Sequence, residues 1–410
     1  MTFLLMVVWA VLVATLVVIG IAIYEPVMEY IAQRGEGTPQ GDSSVLPEES
    51  SSSESSSEIS SSQPEEQEPT EQESSRAVYL AHSVLSDSVK LDAFLDNALN
   101  GGATAVVVDI KNENGAVLHL SSVKTAQEAL AISDAAVDLE EIAGAISAKG
   151  LRPVARVYAF EDHVASSSLR RMACFYQSEN ILWYDNDPSN GGQPWLNPYS
   201  QEARNYVLQL AVESAGLGFE EVILAGLQFP WGYQLQNVYF GADSANTSKA
   251  DLLETFASQV QEQLASIGVD MSVMIRPMDI INANDFTYGE GNPLERFECP
   301  VYIDFSPSYM VDKFSNQYIF GDVVLENDTE PSIVVRAAAK ALEPFLNQQV
   351  LEDGNYRAVV ECEGNSGRVT ADTIRMETEA LVEAGMEDVF FYSEFSNYPA
   401  KTDYGTGKDK

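Results

Sequence analysis

The chain is short of basic residues, histidine and cysteine. Its 410 residues carry 23 Lys and Arg against 62 Asp and Glu, a formal net charge of −39. Nucleic acid is excluded as a partner, because that binding depends on Lys and Arg displacing condensed counterions. An anionic lipid surface would be repelled for the same reason. Three cysteines, Cys174, Cys299 and Cys362, leave at least one unpaired, and no C-x-x-C occurs. A disulfide framework, a zinc ribbon and a thioredoxin-like motif are thereby excluded. The three histidines, His82, His119 and His163, are scattered and fit no ligand spacing, so neither a metal nor a cofactor is expected. G-x-G-x-x-G, G-x-x-x-x-G-K-[ST] and G-x-S-x-G are all missing. Neutral or cationic ligands remain.

What is present divides the chain into unlike parts. Phe3 to Tyr24 is a run of 22 residues without a charge. About 20 apolar residues cross a bilayer core as a helix, so residues 1–30 are expected to be a single-pass transmembrane anchor. A cleaved signal peptide would need a basic start and a small-residue cleavage site, but the first Lys or Arg is Arg34. Residues 31–76 continue as a Ser, Glu and Pro-rich linker. Between Asp42 and Ser75 stand 14 Ser and 9 Glu with no Lys or Arg. Such a segment cannot bury enough apolar surface to offset its ordering entropy, which predicts a self-repelling, disordered spacer. An anchor and stalk suit a bacterial cell membrane protein whose folded part lies on the extracytoplasmic side. The membrane is then touched only through the N-terminal helix.

Residues 77–400 read as the folded domain, with 401–410 as a flexible tail. Short apolar runs alternate with amphipathic segments. The strands are predicted at 77–81, 105–110, 153–158, 221–227, 271–275, 301–305, 356–361 and 389–392. The helices between them are predicted at 89–99, 139–148, 202–215, 251–267, 333–346 and 371–384. Ser248-x-x-Asp251 reads as a capping box for the fourth helix. Eight nearly continuous apolar strands with mostly helical crossovers predict an α/β fold, a (β/α)8 TIM barrel.

In such a barrel the chemistry gathers at the C-terminal strand ends. Those ends hold Asp109 and Lys111, Arg156 with Glu161 and Asp162, Gln228 and Trp231, Arg276 and Asp279, Asp304 and Tyr309, Glu361 and Glu363, and Glu394. The set is rich in carboxylates, the groups that glycoside hydrolysis needs as acid and as nucleophile or base. Asp109, Asp304 and Glu361 are the catalytic candidates. Lys111, Arg156, Trp195, Tyr199, Gln228, Trp231 and Tyr309 are the candidates for holding a sugar.

Four stretches carry a resemblance: DIKNENG (109–115), ARV (155–157), WLNPYSQEARNY (195–206) and GFEEVILAGLQFP (218–230). They resemble a bacterial family described as a "putative glycosyl hydrolase domain", within the TIM-barrel glycosidase group and often on envelope-anchored proteins. The resemblance spans Val78 to Tyr398 and implies a polysaccharide or glycan ligand. It breaks at the fourth strand. The family's F-D-Y-[VI]-R-F-P is matched by a segment with Ala225 for Asp, Gly226 for Tyr and Gln228 for Arg. An alanine can neither carry a proton nor attack a carbon. This leaves two expectations: an enzyme whose acid chemistry lies on another carboxylate, or a non-catalytic glycan-binding or scaffold barrel.

Overall fold

The computed structural model describes residues 74–399 except 179, 283–284, 313–314 and 364–368, together with 402 and 404. The predicted anchor, and all but the last three residues of the predicted linker, lie outside the described residues. Among the described residues no helix is long and apolar enough to cross a membrane.

Eight strands form the barrel: β1 Arg76–Tyr79, β2 Ala105–Lys111, β3 Arg152–Tyr158, β4 Glu221–Ala225, β5 Asp270–Ile275, β6 Val301–Asp304, β7 Tyr356–Glu361 and β8 Val389–Tyr392. Each pairs in parallel with its neighbours, and β8 pairs with β1 to close the ring. Six longer helices cover the outside: α1 Ser88–Asn100, α2 Leu139–Ala148, α3 Gln201–Gly216, α4 Lys249–Ala265, α5 Pro331–Leu342 and α6 Ala371–Glu383. Their starts obey the chemistry of orphan backbone N–H groups. Asp87, Asp138, Ser200, Ser248 and Thr370 each accept from a first-turn N–H. At the predicted box, Asp251 N–H donates to Ser248 Oγ at 3.1 Å.

The period of two along each strand sorts the side chains into two layers. Val106, Val108, Ala155 and Val157 pack outward under the helices. Val107, Val154, Ile223, Ala225, Met274, Tyr302, Val359, Phe390 and Tyr392 fill the inside. The same parity turns Asp109, Arg156, Asp304 and Glu361 inward.

Lys111 escapes this parity. The β2–β3 register shifts between Asp109 and Lys111, so Asp109 faces Arg156 while Lys111 faces the outward residue Val157. A bulge of this kind adds a residue to one strand and re-aims the side chains beyond it. Outside the ring, Val117–His119 and Ile132–Val137 extend the sheet from β2. A hairpin of Gln317–Phe320 and Val323–Glu326 rises between β6 and α5. Tyr404, in the segment read as a tail, is buried against Phe391 and Tyr398, with ring centroids 5.0 and 5.8 Å away. The core therefore extends to this residue.

Candidate functional site

A cleft of about 770 Å³ opens at the C-terminal ends of the strands. Its floor is Tyr158, Ala225, Met274 and Ile275, and its walls include Glu113, Glu161, Gln228, Trp231, Arg276, Asp304 and Tyr309. This volume suits an oligosaccharide-sized ligand.

Asp109 lies deeper than the cleft and is saturated. Arg156 donates to it from Nε at 2.6 Å and from Nη2 at 3.1 Å, and Tyr79 Oη donates at 2.8 Å. The guanidinium sits over Tyr79, Tyr158 and Tyr392 at 4.8, 5.2 and 5.0 Å. This is a buried bidentate pair in an aromatic box, a packing element of the interior rather than a group offered to a ligand. Neither residue lines the cleft.

Lys111 does not line it either. Its side chain is fully buried, donating to Asp162 at 2.7 Å and to the Ala159 carbonyl at 3.0 Å, over the Tyr206 ring. Asp162 in turn accepts from Ala165 N–H at 2.7 Å. The bridge sits beside Gly115 at φ +90°, where a Cβ would collide with the Asp162 carboxylate. Glycine is required there by both sterics and backbone. The pair thus joins the turn that bears Glu113 to the segment that bears Glu161.

Of the three catalytic candidates, Asp304 is the one that reaches the cleft. Burial raises its carboxyl above the usual aspartate range, against the pull of the hydrogen bonds from Ser306, whose N–H donates to it at 3.0 Å. Glu361 stands behind it, outside the cleft lining, and accepts from Ser308 N–H at 3.0 Å. Burial raises Glu361 too, and the neighbouring Asp304 and Glu363 push the same way.

The aromatic candidates divide. Trp195 is fully buried, its Nε1 donating to Asp185 at 3.2 Å, and it packs with Cys174 and Trp183. Tyr199 is buried against Phe229 and Phe240 and donates to the Thr247 carbonyl at 2.7 Å. Both build the lobe of loops beneath the rim and offer no face to a sugar. Trp231 and Tyr309 do line the cleft. Arg276 covers one face of Trp231 at 4.8 Å while its guanidinium is bound to Asp279 at 2.8 and 2.9 Å. Tyr309 Oη donates to Glu113 at 3.2 Å. Gln228 is held in the wall by Tyr288 Oη, which donates to it at 3.0 Å.

Ala225 pairs with Tyr158 across β3 and β4 and ends in the cleft floor. Gly226 comes next at φ +59°, with Tyr158 and Glu161 each 3.5 Å from where its Cβ would stand. The fourth strand therefore ends in a small-residue floor without an acid. Sequence reasoning passed over Glu113, although it stands inside the DIKNENG stretch. The signal was the Asn112-x-x-Gly115 turn, which Asn112 Oδ1 closes by accepting from Asn114 and Ala116 N–H.

The closed eight-stranded parallel ring with an acidic cleft at its C-terminal face defines a glycoside-hydrolase-like (β/α)8 barrel. The chain belongs to the family described as a "putative glycosyl hydrolase domain", whose model matches residues 77–291. Among solved structures, the glycoside hydrolase domain of PgaB (BpsB) from Bordetella bronchiseptica superposes with a TM-score of 0.57 at 12% identity, over 82% of this chain and 99% of that one. A hypothetical protein from Ruminiclostridium thermocellum is 24% identical over 48% of this chain and 96% of its own, with a TM-score of 0.42. The glycoside hydrolase domain of a PelA variant from Pseudomonas aeruginosa is 13% identical over 79% and 96%, also at 0.42. No curated protein matches the chain. At 12% identity the likeness to the PgaB domain speaks for the fold alone.

Proposed function

We propose that this chain is a polysaccharide-binding barrel of the bacterial envelope that holds glycan without cleaving it. The observation that carries the reading is the end of β4, where Ala225 and Gly226 stand in the cleft floor at the places of the family pattern's Asp and Tyr. An acid needs a carboxyl there, with its pKa set by neighbours, and a methyl group supplies none. The cleft itself is kept, with Trp231, Tyr309 and several carboxylates to meet hydroxyl-rich rings. The apolar run Phe3–Tyr24 supports a membrane anchor, and the Ser and Glu-rich segment after it supports a stalk that holds the barrel on the extracytoplasmic side.

A second reading rests on Asp304. A buried carboxyl held above its usual range inside a cleft is the state required of a general acid. Incubating the purified chain with a panel of polysaccharides separates the two readings. Retarded migration in gels containing polysaccharide, with no new reducing ends, is the expected result. Robust release of reducing ends, lost in Asp304→Asn, would establish the second reading instead. Restoring the pattern with Ala225→Asp and Gln228→Arg is not expected to bring cleavage, since the groups around those positions differ as well.

A further inference from the structure

The glycan-binding reading leaves the class of sugar open, and the charge around the cleft narrows it. Among the described residues, seven acidic side chains line the cleft against one Lys or Arg, Arg276. From Arg76 onward the sequence carries 49 acidic and 22 basic residues, a far less one-sided ratio. Arg276 is bound to Asp279, itself one of the seven, which leaves six. The buried Arg156 below adds nothing, because Asp109 neutralises it.

Three of the seven are held by neutral donors, which bring no compensating positive charge. Glu113 accepts from the Tyr309 hydroxyl. Asp185 accepts from Gln193 N–H at 2.7 Å and from the Trp195 indole. Asp304 accepts from Ser306 N–H. These three come from the β2 turn, the loop lobe and the end of β6, so the negative field surrounds the ligand rather than marking one edge. A cleft of one sign with low-dielectric walls concentrates the opposite charge. An anionic polymer would be expelled, and a neutral one would gain nothing from the field.

We infer that the cleft takes a cationic polysaccharide, one whose hexosamine units carry free amino groups. Each ammonium offers three donors to cleft carboxylates such as Glu113 and Asp185, whose donors are neutral, and charge-assisted bonds of this kind are roughly twice as strong as neutral ones. Acetylating the amine would remove both the charge and two of the donors. The inference rests on the glycan-binding reading, and its test keeps the two apart.

The test is calorimetric titration of the full chain with four tetrasaccharides at low salt: tetraglucosamine, its N-acetylated twin, cellotetraose and tetragalacturonate. Tetraglucosamine is expected to bind about tenfold tighter than its N-acetylated twin, a difference of about 1.4 kcal/mol. Raising the salt should shrink that advantage. The double variant Glu113→Gln, Asp304→Asn is expected to lose most of it. Glu113→Gln alone, on a surface turn, serves if the double variant does not fold. Equal or tighter binding of the N-acetylated or neutral tetramer overturns the inference and leaves the glycan reading standing. Tetraglucosamine binding that the cleft variants leave unchanged also overturns it, and assigns the attraction to the acidic segment 42–75. No heat with any of the four overturns the glycan reading itself.

Discussion

Asp109 and Asp304 stand at the ends of β2 and β6, both turned into the same barrel, and their surroundings give them opposite roles. Asp109 receives two bonds from Arg156 and one from Tyr79, all within the interior. Asp304 keeps a backbone donor from Ser306 and faces the cleft, with burial raising its carboxyl. The difference shows that a carboxylate at a strand end is a structural post where an arginine rises from the adjacent strand, and a site group where none does. Arg156 is paired with Asp109 in the β2–β3 register. At the corresponding level of β7, Asp304 faces Val359.

The strongest test of that contrast is Asp109→Asn. The amide keeps the shape but leaves the buried Arg156 guanidinium without its counter-charge. Removing one partner of such a pair costs about 3–5 kcal/mol. Urea unfolding of wild type and variant measures it, and a loss under about 1 kcal/mol would mean that the three tyrosines hold the guanidinium unaided.

A smaller effect is expected at Glu213 on α3, which clamps the extension of the sheet. It accepts from His119 Nε2 at 2.8 Å, and from Ser121 Oγ, Ser122 N–H and Ser122 Oγ at 2.6 Å each. Burial would raise its pKa, but these bonds outweigh burial and bring it from 4.5 down to about 2. A depressed carboxyl stabilises the fold above its unfolded value and loses that contribution as pH falls through the folded one. Glu213→Gln is therefore expected to cost about 1–3 kcal/mol at neutral pH. The gap from wild type should close between roughly pH 4.5 and pH 2. A gap independent of pH would show that shape, not charge, holds the clamp.

Glu377 on α6 reverses that sign. Its side chain is fully buried and neither carboxyl oxygen has a hydrogen-bond partner among the described residues. Burial first, and then Glu361, raise its pKa to about 8. The folded state holds a proton that the unfolded chain has released, so stability falls as pH rises from about 4.5 to about 8. Glu377→Met is expected to remove this slope and to add about 1–3 kcal/mol at about pH 8, by deleting an unsatisfied buried group. Chemical denaturation at about pH 6 and about pH 8 reads both effects. A variant less stable than wild type at the higher pH would give this glutamate a partner that matters.

The strands and long helices were legible because their signals are local. Apolar runs, caps and glycine stops place all eight strands and all six helices within a few residues. The interior facing of Asp109, Arg156, Asp304 and Glu361 is a consequence of parity alone. Three features were not legible. The bulge before Lys111 depends on pairing with β3, so the alternation that sends Asp109 inward mispredicts its neighbour. Trp195 and Tyr199 carry no mark in sequence that separates a sugar platform from a loop core, since both are aromatic residues near a proline. The cleft's acidity combines residues from separate loops, Glu113, Asp185 and Asp304 among them, that only the closed ring brings together.

The smallest expected effect completes the comparison that Asp109 began. In Asp304→Asn the amide oxygen still accepts from Ser306 N–H, and no buried cation is left behind. The change in stability is expected to stay within about 1 kcal/mol near neutral pH. Its sign is set by the raised carboxyl. A group that holds its proton more tightly in the fold destabilises that fold as pH rises past the ordinary aspartate range, so the variant should gain on wild type toward alkaline pH. Any glycan-dependent readout should move the other way, with binding of an amino-sugar oligomer weakened even where the protein is no less stable. A stability loss as large as that of Asp109→Asn would show that Asp304 is another structural post, and the end of β6 itself would then offer no carboxylate to a ligand.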